Sequence, residues 1–305
     1  MTVNALNYAL NMIRLSIADV KLLINTETCS EIRDRNPDHR DFFPQERFSK
    51  SGAQVHIQIC MDPMPDVSNK TILFEAESSW SIKQDGKFYW IVSNSPMLQQ
   101  PLWIARFNQD FSDGMVYCSD RFKDTQHAKN ILFNPVNYPL DQILFIHYLA
   151  LNDGMLIHSA GWRINGSGWI FAGKSGAGKS TMSNLIGKEI GVTFLSDDRI
   201  IIRKIGHEFL MYGTPWPGDA GIAVNQSAPL KGVFFLNQGN ENKIAELKSS
   251  DAISYLFPVI SIPWYDRDKV SLMMDFCESL LAAVPMYELT FRRDETVADF
   301  VKEFV

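Results

Sequence analysis

The residues with the clearest chemical meaning form one glycine-rich segment in the second half of the chain. Residues 173–180 read GKSGAGKS and satisfy the pattern G-x-x-x-x-G-K-S/T. The apolar stretch WIFA precedes the segment, and TMSNLIGKEI, which is compatible with a helix, follows it. In such a strand–loop–helix arrangement, backbone N–H groups and the positive end of the helix surround a phosphate, and side chains in place of the glycines would block its approach. The segment is therefore predicted to be a phosphate-binding loop (P-loop) for ATP.

The polar residues of this loop have distinct expected contacts with the nucleotide. Lys179 should bridge oxygens of the β- and γ-phosphates as a point charge, and the Ser180 hydroxyl should bind the Mg²⁺ that spans them. Thr181 extends the polar start of the helix, whereas Lys174 either contacts phosphate or remains solvated. The predicted nucleotide-binding residues are Gly173, Lys174, Ser175, Gly176, Ala177, Gly178, Lys179, Ser180 and Thr181.

Two adjacent aspartates follow the next predicted strand. The run VTFLS ends in Asp197 and Asp198, and a second strand-like run comes directly after them. One carboxylate can bind Mg²⁺, directly or through water, and the other can accept the proton of an acceptor hydroxyl. Neighbouring residues at a strand end point in opposite directions, so the sequence does not show which aspartate has which role. We assign the general base to Asp197 and the metal contact to Asp198 together with Ser180; two solvated turn aspartates are the plain structural alternative.

The elements around these residues read as strands and helices of an α/β domain. MLIHSAGWRI and GWIFAG predict two strands that are joined at the turn dipeptide Asn165-Gly166. His158 lies in the first of them, where a histidine among apolar residues is usually a hydrogen-bonded core residue. Upstream, DQILFIHYLAL predicts an apolar helix that ends near residues 152–154. The acidic start and apolar spacing of DETVADFVKEFV predict an amphipathic C-terminal helix.

The first part of the chain has the pattern of a β-rich domain. QVHIQIC alternates apolar and polar residues, and WSIKQDGKFYWIVS places Asp85-Gly86 between two strand-like halves, so we expect antiparallel β structure over residues 50–120. MDPMPDVSNK is a predicted loop, and residues 4–25 are amphipathic without a clear period. The composition changes after Pro135 and Pro139, which places the domain boundary between residues 137 and 138.

Composition narrows the function classes. The 305-residue chain is 46% hydrophobic and has a net charge of −6, so no global basic surface indicates a nucleic-acid partner. No run approaches the length of a membrane span, and cytoplasm is the expected location. The cysteines lie far apart without a C-x-x-C pair, which favours reduced thiols; they are Cys29, Cys60, Cys118 and Cys277.

Four successive stretches resemble the HPr kinase/phosphorylase superfamily, and most of all its HPr-kinase-like serine kinase branch, whose P-loop domain is similar to that of phosphoenolpyruvate carboxykinases. The resemblance covers roughly residues 140–300 and weakens sharply before them. It implies that His158, Asp197 and Asp198 are active-site residues. The stretches are LIHSAGWRINGSGWIFAGKSGAGKST, FLSDDRIII, YGTPWPGD and APLKGVFFL.

Two further features qualify the resemblance. The segment GTPW, typical of the serine-kinase-like branch, would be a rigid turn that presents a hydroxyl and an indole near the phosphates, or else a packed loop around Trp216. The glycine-rich acidic signature of true HPr kinases is not found, so HPr is not the expected substrate. Arginines for a carboxykinase-like dicarboxylate site are available, but the sequence does not arrange them: Arg199, Arg203, Arg267, Arg292 and Arg293.

The residues and the resemblance together predict an α/β protein with a smaller, mostly β domain at residues 1–137 and a P-loop kinase domain of HPr-kinase/phosphoenolpyruvate-carboxykinase type, with a mixed sheet, at residues 138–305. The predicted activity is ATP- and Mg²⁺-dependent phosphoryl transfer, with Asp197, His158 and Lys179 as catalytic residues. The acceptor would be a peptide, protein or small-molecule hydroxyl, free serine included; a homo-oligomer is left open. The alternatives are a nucleotide-gated binding module, a carboxykinase-like enzyme and an ATPase coupled to motion.

Overall fold

The computed structural model describes residues 11–77, 79–94, 97, 100–124, 130–173, 176–186 and 191–305. The fold is α/β with mixed sheets and a β-rich N-terminal part. The chain divides into two compact units, Met1–Tyr148 and Leu149–Val305. Across the described ranges, none of the helices combines the length and apolar character that a membrane span requires.

Strands dominate the first unit. An eight-stranded sheet has the order β1-β2-β4-β9-β8-β7-β6-β5, and β3 pairs separately with β10. The α-helix α1 (Leu140–Ala150) follows the strands. The strands are β1 (Met12–Ile17), β2 (Val20–Thr26), β3 (Glu31–Arg33), β4 (Val55–Cys60), β5 (Thr71–Ala76), β6 (Trp80–Gln84), β7 (Tyr89–Ser93), β8 (Trp103–Phe107), β9 (Asp113–Cys118) and β10 (Ile131–Phe133).

Turn dipeptides predict a hairpin of this unit, but they do not predict the direction of every strand. The hairpin around Asp85-Gly86 is confirmed, with β6 antiparallel to β7 and Gly86 at φ 84°. The unassigned start forms a β1–β2 hairpin, while residues 4–10 lie outside the described part. Antiparallel pairing throughout residues 50–120 is wrong, because β4 is parallel to both β2 and β9. A turn fixes the direction of strands that it joins, and β4 pairs with strands that are not its chain neighbours.

Helix α1 forms where the sequence predicts it, and its packing explains where the two units divide. The His147 ring stacks on Phe111 with 4.2 Å between ring centroids, and it also contacts Tyr89 at 5.4 Å. Asp141 at the start of the helix faces His39, with 3.9 Å between carboxylate oxygen and ring nitrogen. Most of α1 therefore belongs to the first unit, whereas the sequence places the boundary ahead of this helix.

The second unit is built on longer strands with helices packed against them. Its sheet has the order β12-β11-β14-β15-β16-β18-β17, β13 pairs with β11, and β12 also pairs with β16. Its elements are β11 (Gly154–Ile164), β12 (Ser167–Ala172), α2 (Lys179–Ile186), β13 (Val192–Ser196), β14 (Arg199–Ile205), β15 (Glu208–Tyr212), β16 (Ser227–Gln238), β17 (Lys243–Glu246), α3 (Ser249–Leu256), α4 (Arg267–Ala283), β18 (Met286–Phe291) and α5 (Thr296–Phe304).

Two apolar clusters hold the helices of this unit on its strands. One joins α2 and α5 to strand residues that include Trp162 and Phe171, and the other joins α3 and α4 to strand residues that include Ile200 and Met211. The predicted C-terminal helix is confirmed as α5, with Val297, Ala298 and Val301 buried. The four cysteines are buried free thiols, as the sequence predicts.

Parallel pairing determines which chain segments meet at one edge of the second unit. Strand β16 is parallel to β12 and to β18, so the three strands end on the same side. Both β12 and β13 run antiparallel to β11, so β13 ends on that side as well. Segments that follow these four strands are therefore neighbours, and they include the glycine-rich segment and the two aspartates.

Candidate functional site

The glycine-rich segment connects β12 to α2 in the predicted strand–loop–helix order. Gly176 and Gly178 have φ angles of 82° and 102°, in the region that favours glycine. A Cβ atom on Gly178 would lie 2.6 Å from Phe291 Cζ, so the loop is packed closely against the end of β18. Lys174 and Ser175 lie outside the described residues, and Ser180 is described in its backbone only, within α2.

Lys179 begins helix α2 with its side chain directed back to the loop. Its Nζ donates to the Gly173 carbonyl oxygen at 2.9 Å. Burial lowers the pKa of this amine; the carboxylate of Asp198 acts to raise it, and the charge of Arg199 lowers it further. The ammonium thus has a neutral hydrogen-bond partner and a carboxylate near enough to influence its pKa.

Asp198 is the centre of a group of charged side chains. His158 Nε2 lies 2.8 Å from Asp198 Oδ1, and Arg199 Nη1 lies 2.8 Å from Asp198 Oδ2. Burial acts to raise the pKa of this carboxyl, but the His158 hydrogen bond and the charges of Arg199 and Lys179 outweigh it, so the pKa is lowered. Side chains of His158 and Asp198 remain 33% and 29% exposed, so the pair opens to solvent. The carboxylate is therefore ionised at neutral pH.

Asp197 has a different environment from its neighbour. Its carboxylate accepts backbone N–H groups from Gly218 at 2.9 Å, Ala220 at 2.8 Å and Ile222 at 3.2 Å. Both oxygens take part, and all three donors belong to the loop that follows the GTPW segment. The carboxylate therefore fixes the conformation of this loop.

The GTPW segment itself is packed. Thr214 and Trp216 are both buried, and the Thr214 hydroxyl donates to the Arg199 carbonyl oxygen at 2.7 Å. This arrangement agrees with the packed-loop interpretation, and the interpretation in which the turn presents a hydroxyl and an indole to phosphates is wrong. The segment instead holds the backbone of Arg199, next to Asp198, through this hydrogen bond.

A cleft of about 570 Å³ brings most of the predicted residues together. Gly173 and Ala177 instead line a separate cavity of about 420 Å³, beside residues of β16, α3 and β18. Sequence reasoning missed Gly218, Asp219 and Gln238 as lining residues and did not place Arg293. Gln238 and Arg293 follow from the rule that ligand sites lie at the carboxyl ends of parallel strands, but only once the pairing of β16 and β18 is known. The cleft is lined by His158, Gly176, Gly178, Lys179, Thr181, Asp197, Asp198, Gly218, Asp219, Gln238 and Arg293.

Comparison with known proteins identifies one family. The model for "SynChlorMet cassette protein ScmC" matches residues 128–291, which is more than half of the chain and includes every strand of the second unit. No curated protein matches the chain significantly. Among solved structures, an Hpr(Ser) kinase/phosphatase from Coxiella burnetii is 9% identical, with a TM-score of 0.29 over 48% of this chain and 91% of that chain.

Proposed function

The chain belongs to the ScmC family of SynChlorMet cassette proteins, and we propose that it is an ATP- and Mg²⁺-dependent kinase that transfers the γ-phosphate to a hydroxyl acceptor. The family description names no reaction. The observation that carries it is the convergence of Lys179, His158 and Asp198 in one cleft, directly beside a glycine-rich loop at a helix start. The finer assignment to an HPr-kinase-like serine kinase with a P-loop of that type depends on the sequence motifs.

The proposed phosphate site is the loop between β12 and α2. Two glycines with positive φ allow successive N–H groups to point inward, which is the backbone geometry of an anion-binding nest. Lys179 Nζ has a carbonyl as its hydrogen-bond partner, so phosphate oxygens can replace that partner without breaking an ion pair. A polyphosphate would also meet the positive end of α2. Residues 173–181 remain the proposed nucleotide contacts.

The proposed metal contacts are Ser180 and Asp198. Mg²⁺ prefers oxygen ligands and usually takes one or two carboxylates, with phosphate oxygens and water completing its shell. Among the described residues, no three His, Cys, Asp or Glu side chains cluster as a metal site, so most of this shell would come from the nucleotide and water. Asp198 suits the role, because its lowered pKa keeps it ionised. When bound, the ion would neutralise charge on the β- and γ-phosphates.

The hydrogen bonds favour His158 over Asp197 as the proton acceptor. Three backbone N–H groups already occupy the Asp197 carboxylate, which makes it a loop anchor. Of the acidic and imidazole side chains that the motifs single out, Asp198 and His158 then remain for two tasks. Mg²⁺ suits the oxygen of Asp198, whereas proton transfer suits the nitrogen of His158. In the tautomer whose Nε2–H is bonded to Asp198, the lone pair lies at Nδ1. We therefore place the general base at His158 and keep Lys179 as the catalytic cation.

The proposed step balances as an in-line displacement. The acceptor oxygen forms a bond to the γ-phosphorus while the bond from that phosphorus to the β–γ bridging oxygen breaks, and ADP leaves. The hydroxyl proton moves to His158 Nδ1, and the Asp198 carboxylate stabilises the imidazolium that results. Lys179 compensates negative charge on the transferring group. A peptide or protein serine and free serine are the proposed acceptors.

The test combines nucleotide binding with transfer. Mg²⁺-ATP at millimolar concentration should raise the melting temperature, because a ligand that binds only the folded state stabilises it by mass action. Labelled ATP should then transfer its γ-phosphate to one member of a panel of serine peptides, free serine and small hydroxyl compounds. Binding without transfer to any acceptor would favour the nucleotide-gated module, and release of phosphate to water alone would favour the ATPase. The absence of any melting shift would reject the nucleotide site itself.

A further inference from the structure

We propose that Arg293 is a second cationic contact for the nucleotide's phosphates and that Gln238 is the positioning residue that holds it beside the loop; this inference rests on the proposed nucleotide site. Both side chains line the cleft with Gly176, Gly178 and Lys179. Neither belongs to the glycine-rich motif, and Arg293 lies beyond the residues that the family model matches. Neither the motif nor the family description therefore assigns a role to these two residues.

A chain of hydrogen bonds connects Arg293 to the loop. The Arg293 guanidinium donates to Gln238 Oε1, and Gln238 Nε2 donates to the Gly176 carbonyl oxygen at 2.8 Å. These two bonds fix the orientation of the amide, because its oxygen can only accept and its nitrogen can only donate. The pairing of Gln238 with Phe291 across β16 and β18 brings the two side chains to the same edge. Gln238, at the end of β16, thus connects the glycine-rich loop to the parallel strands β16 and β18.

The loop is also packed tightly on this support. A Cβ atom on Gly178 would lie 3.0 Å from Gln238 Nε2 and 2.6 Å from Phe291 Cζ. Gly178 therefore needs to be glycine both for its positive φ and for this contact. Movement of Gln238 would be transmitted to the loop through Gly176 and Gly178 together.

Charge distinguishes Arg293 from the arginine beside it. Arg292 Nε lies 3.0 Å from Asp294 Oδ2, so its charge is paired. In the described part of the chain, no carboxylate lies within ion-pair distance of Arg293, whose hydrogen-bond partner is a neutral amide. Lys179 has the same kind of partner, the Gly173 carbonyl. Two cations with neutral hydrogen-bond partners thus line one cleft together with the loop glycines.

Among the described residues, no acidic side chain of the cleft lies within ion-pair distance of Lys179 or Arg293, although the charge of Asp198 acts on Lys179. Asp197 is bonded to backbone N–H groups, and Asp198 is paired with His158 and Arg199. Asp219 lines the cleft as well. Since a guanidinium presents several donors in a fixed plane, Arg293 can hold phosphate oxygens bidentately while Gln238 keeps it in place.

The experiment measures binding of Mg²⁺-ATP and of magnesium tripolyphosphate by calorimetry at one fixed ionic strength. The variants are Arg293→Met and its matched control, Arg292→Met, an exposed neighbour outside the cleft. We expect Arg293→Met to weaken both ligands by about tenfold, the value of one hydrogen bond to a charged group, and Arg292→Met to leave both within about twofold. The melting temperatures of the two variants without ligand should agree.

The outcomes separate this inference from the function on which it rests. If the wild type binds neither ligand, the proposed nucleotide site fails. If the wild type binds both and the two variants bind equally well, Arg293 is not a phosphate contact. Weaker binding of Mg²⁺-ATP alone would place Arg293 at the ribose or base and would also overturn the proposal.

The support by Gln238 has its own test. Gln238→Leu keeps the cation but removes both hydrogen bonds, so it should weaken tripolyphosphate by a smaller factor than Arg293→Met does. Arg293→Lys keeps a charge without the planar fork and should lie between the wild type and Arg293→Met. Full binding by Gln238→Leu would show that the amide does not position the guanidinium.

Discussion

Each unit contains a histidine–aspartate pair of nearly the same length, in opposite surroundings. His39 Nδ1 lies 2.7 Å from Asp34 Oδ2 in the first unit, and His158 Nε2 lies 2.8 Å from Asp198 Oδ1 in the second. The side chains of the first pair are 1% and 2% exposed, while those of the second are 33% and 29% exposed. Only the second pair lines a cleft that also contains a lysine and a glycine-rich loop.

The two pairs have similar geometry and different environments. Burial acts to lower the pKa of His39, but the carboxylates of Asp141 and Asp34 outweigh it and raise the pKa to about 9. An imidazolium in such a place stabilises its surroundings and has no room for a substrate. His158 has one carboxylate partner and an opening to the cleft, which is what a proton acceptor requires. Solvent access and neighbouring charges distinguish the two.

The largest expected effect comes from replacing Lys179, the cation that lines the cleft beside His158 and Asp198. Lys179→Met should reduce phosphoryl transfer by about a thousandfold, because the charge on the transferring group loses its compensation. Lys231→Met, at an exposed position of β16, is the control and should leave transfer unchanged. A single-turnover assay with labelled ATP measures both. Equal rates in the two variants would remove Lys179 from the mechanism.

The two histidines should separate activity from stability. His158→Gln should lower transfer by about a hundredfold, the usual contribution of a general base, with nucleotide affinity changed only a few-fold. His39→Gln should leave transfer by the folded protein unchanged and lower the free energy of unfolding by about 3 kcal/mol, because two buried carboxylates lose a cationic partner. Transfer assays measure the activity of both variants, and urea titrations measure their free energies of unfolding. A fall in transfer with His39→Gln and none with His158→Gln would reverse the comparison.

Replacing Asp197 and Asp198 one at a time tests which role each has in the cleft. Asp198→Asn should reduce transfer by about a hundredfold and weaken the dependence of ATP binding on Mg²⁺. Asp197→Asn should reduce transfer less and lower the free energy of unfolding by about 1 kcal/mol, because an amide cannot satisfy all three backbone donors. Calorimetry at several Mg²⁺ concentrations and urea titrations measure both effects. If Asp197→Asn loses transfer and keeps its stability, Asp197 is the general base, as the sequence alone assigns it.

The buried pair should have no effect on transfer, but it should make stability depend on pH. The folded-state pKa of His39, about 9, is above its ordinary value of 6.5. The stabilisation is therefore fully present below about pH 6.5 and is lost as the pH rises through about 9. The melting temperature of the wild type should approach that of His39→Gln over this range. A constant difference between the two from pH 6 to 10 would show that His39 does not titrate with folding.

Sequence reasoning succeeded where a local rule applies. Turn dipeptides predicted the hairpins at residues 85–86 and 165–166, and apolar spacing predicted α1 and α5, because both signals are set by neighbouring residues. It failed for the direction of β4, whose partners are not adjacent along the chain. In the cleft, the glycine-rich segment and both aspartates come from motifs. Gln238 and Arg293 have no motif, since their place depends on how β16 and β18 pair.

From the sequence alone one can predict the strand–loop–helix order around residues 173–180, the strand end at Asp197 and Asp198, and a strand around His158. This is possible because glycine, apolar runs and strand ends constrain the backbone locally. Three features become visible only in the folded chain: His158 pairs with Asp198, Asp197 anchors a loop, and Arg293 rather than Arg292 enters the cleft. Each of these depends on which way a side chain points at the edge of the sheet. Adjacent residues point in opposite directions there, so pairing register and packing, and not residue type, determine the partners.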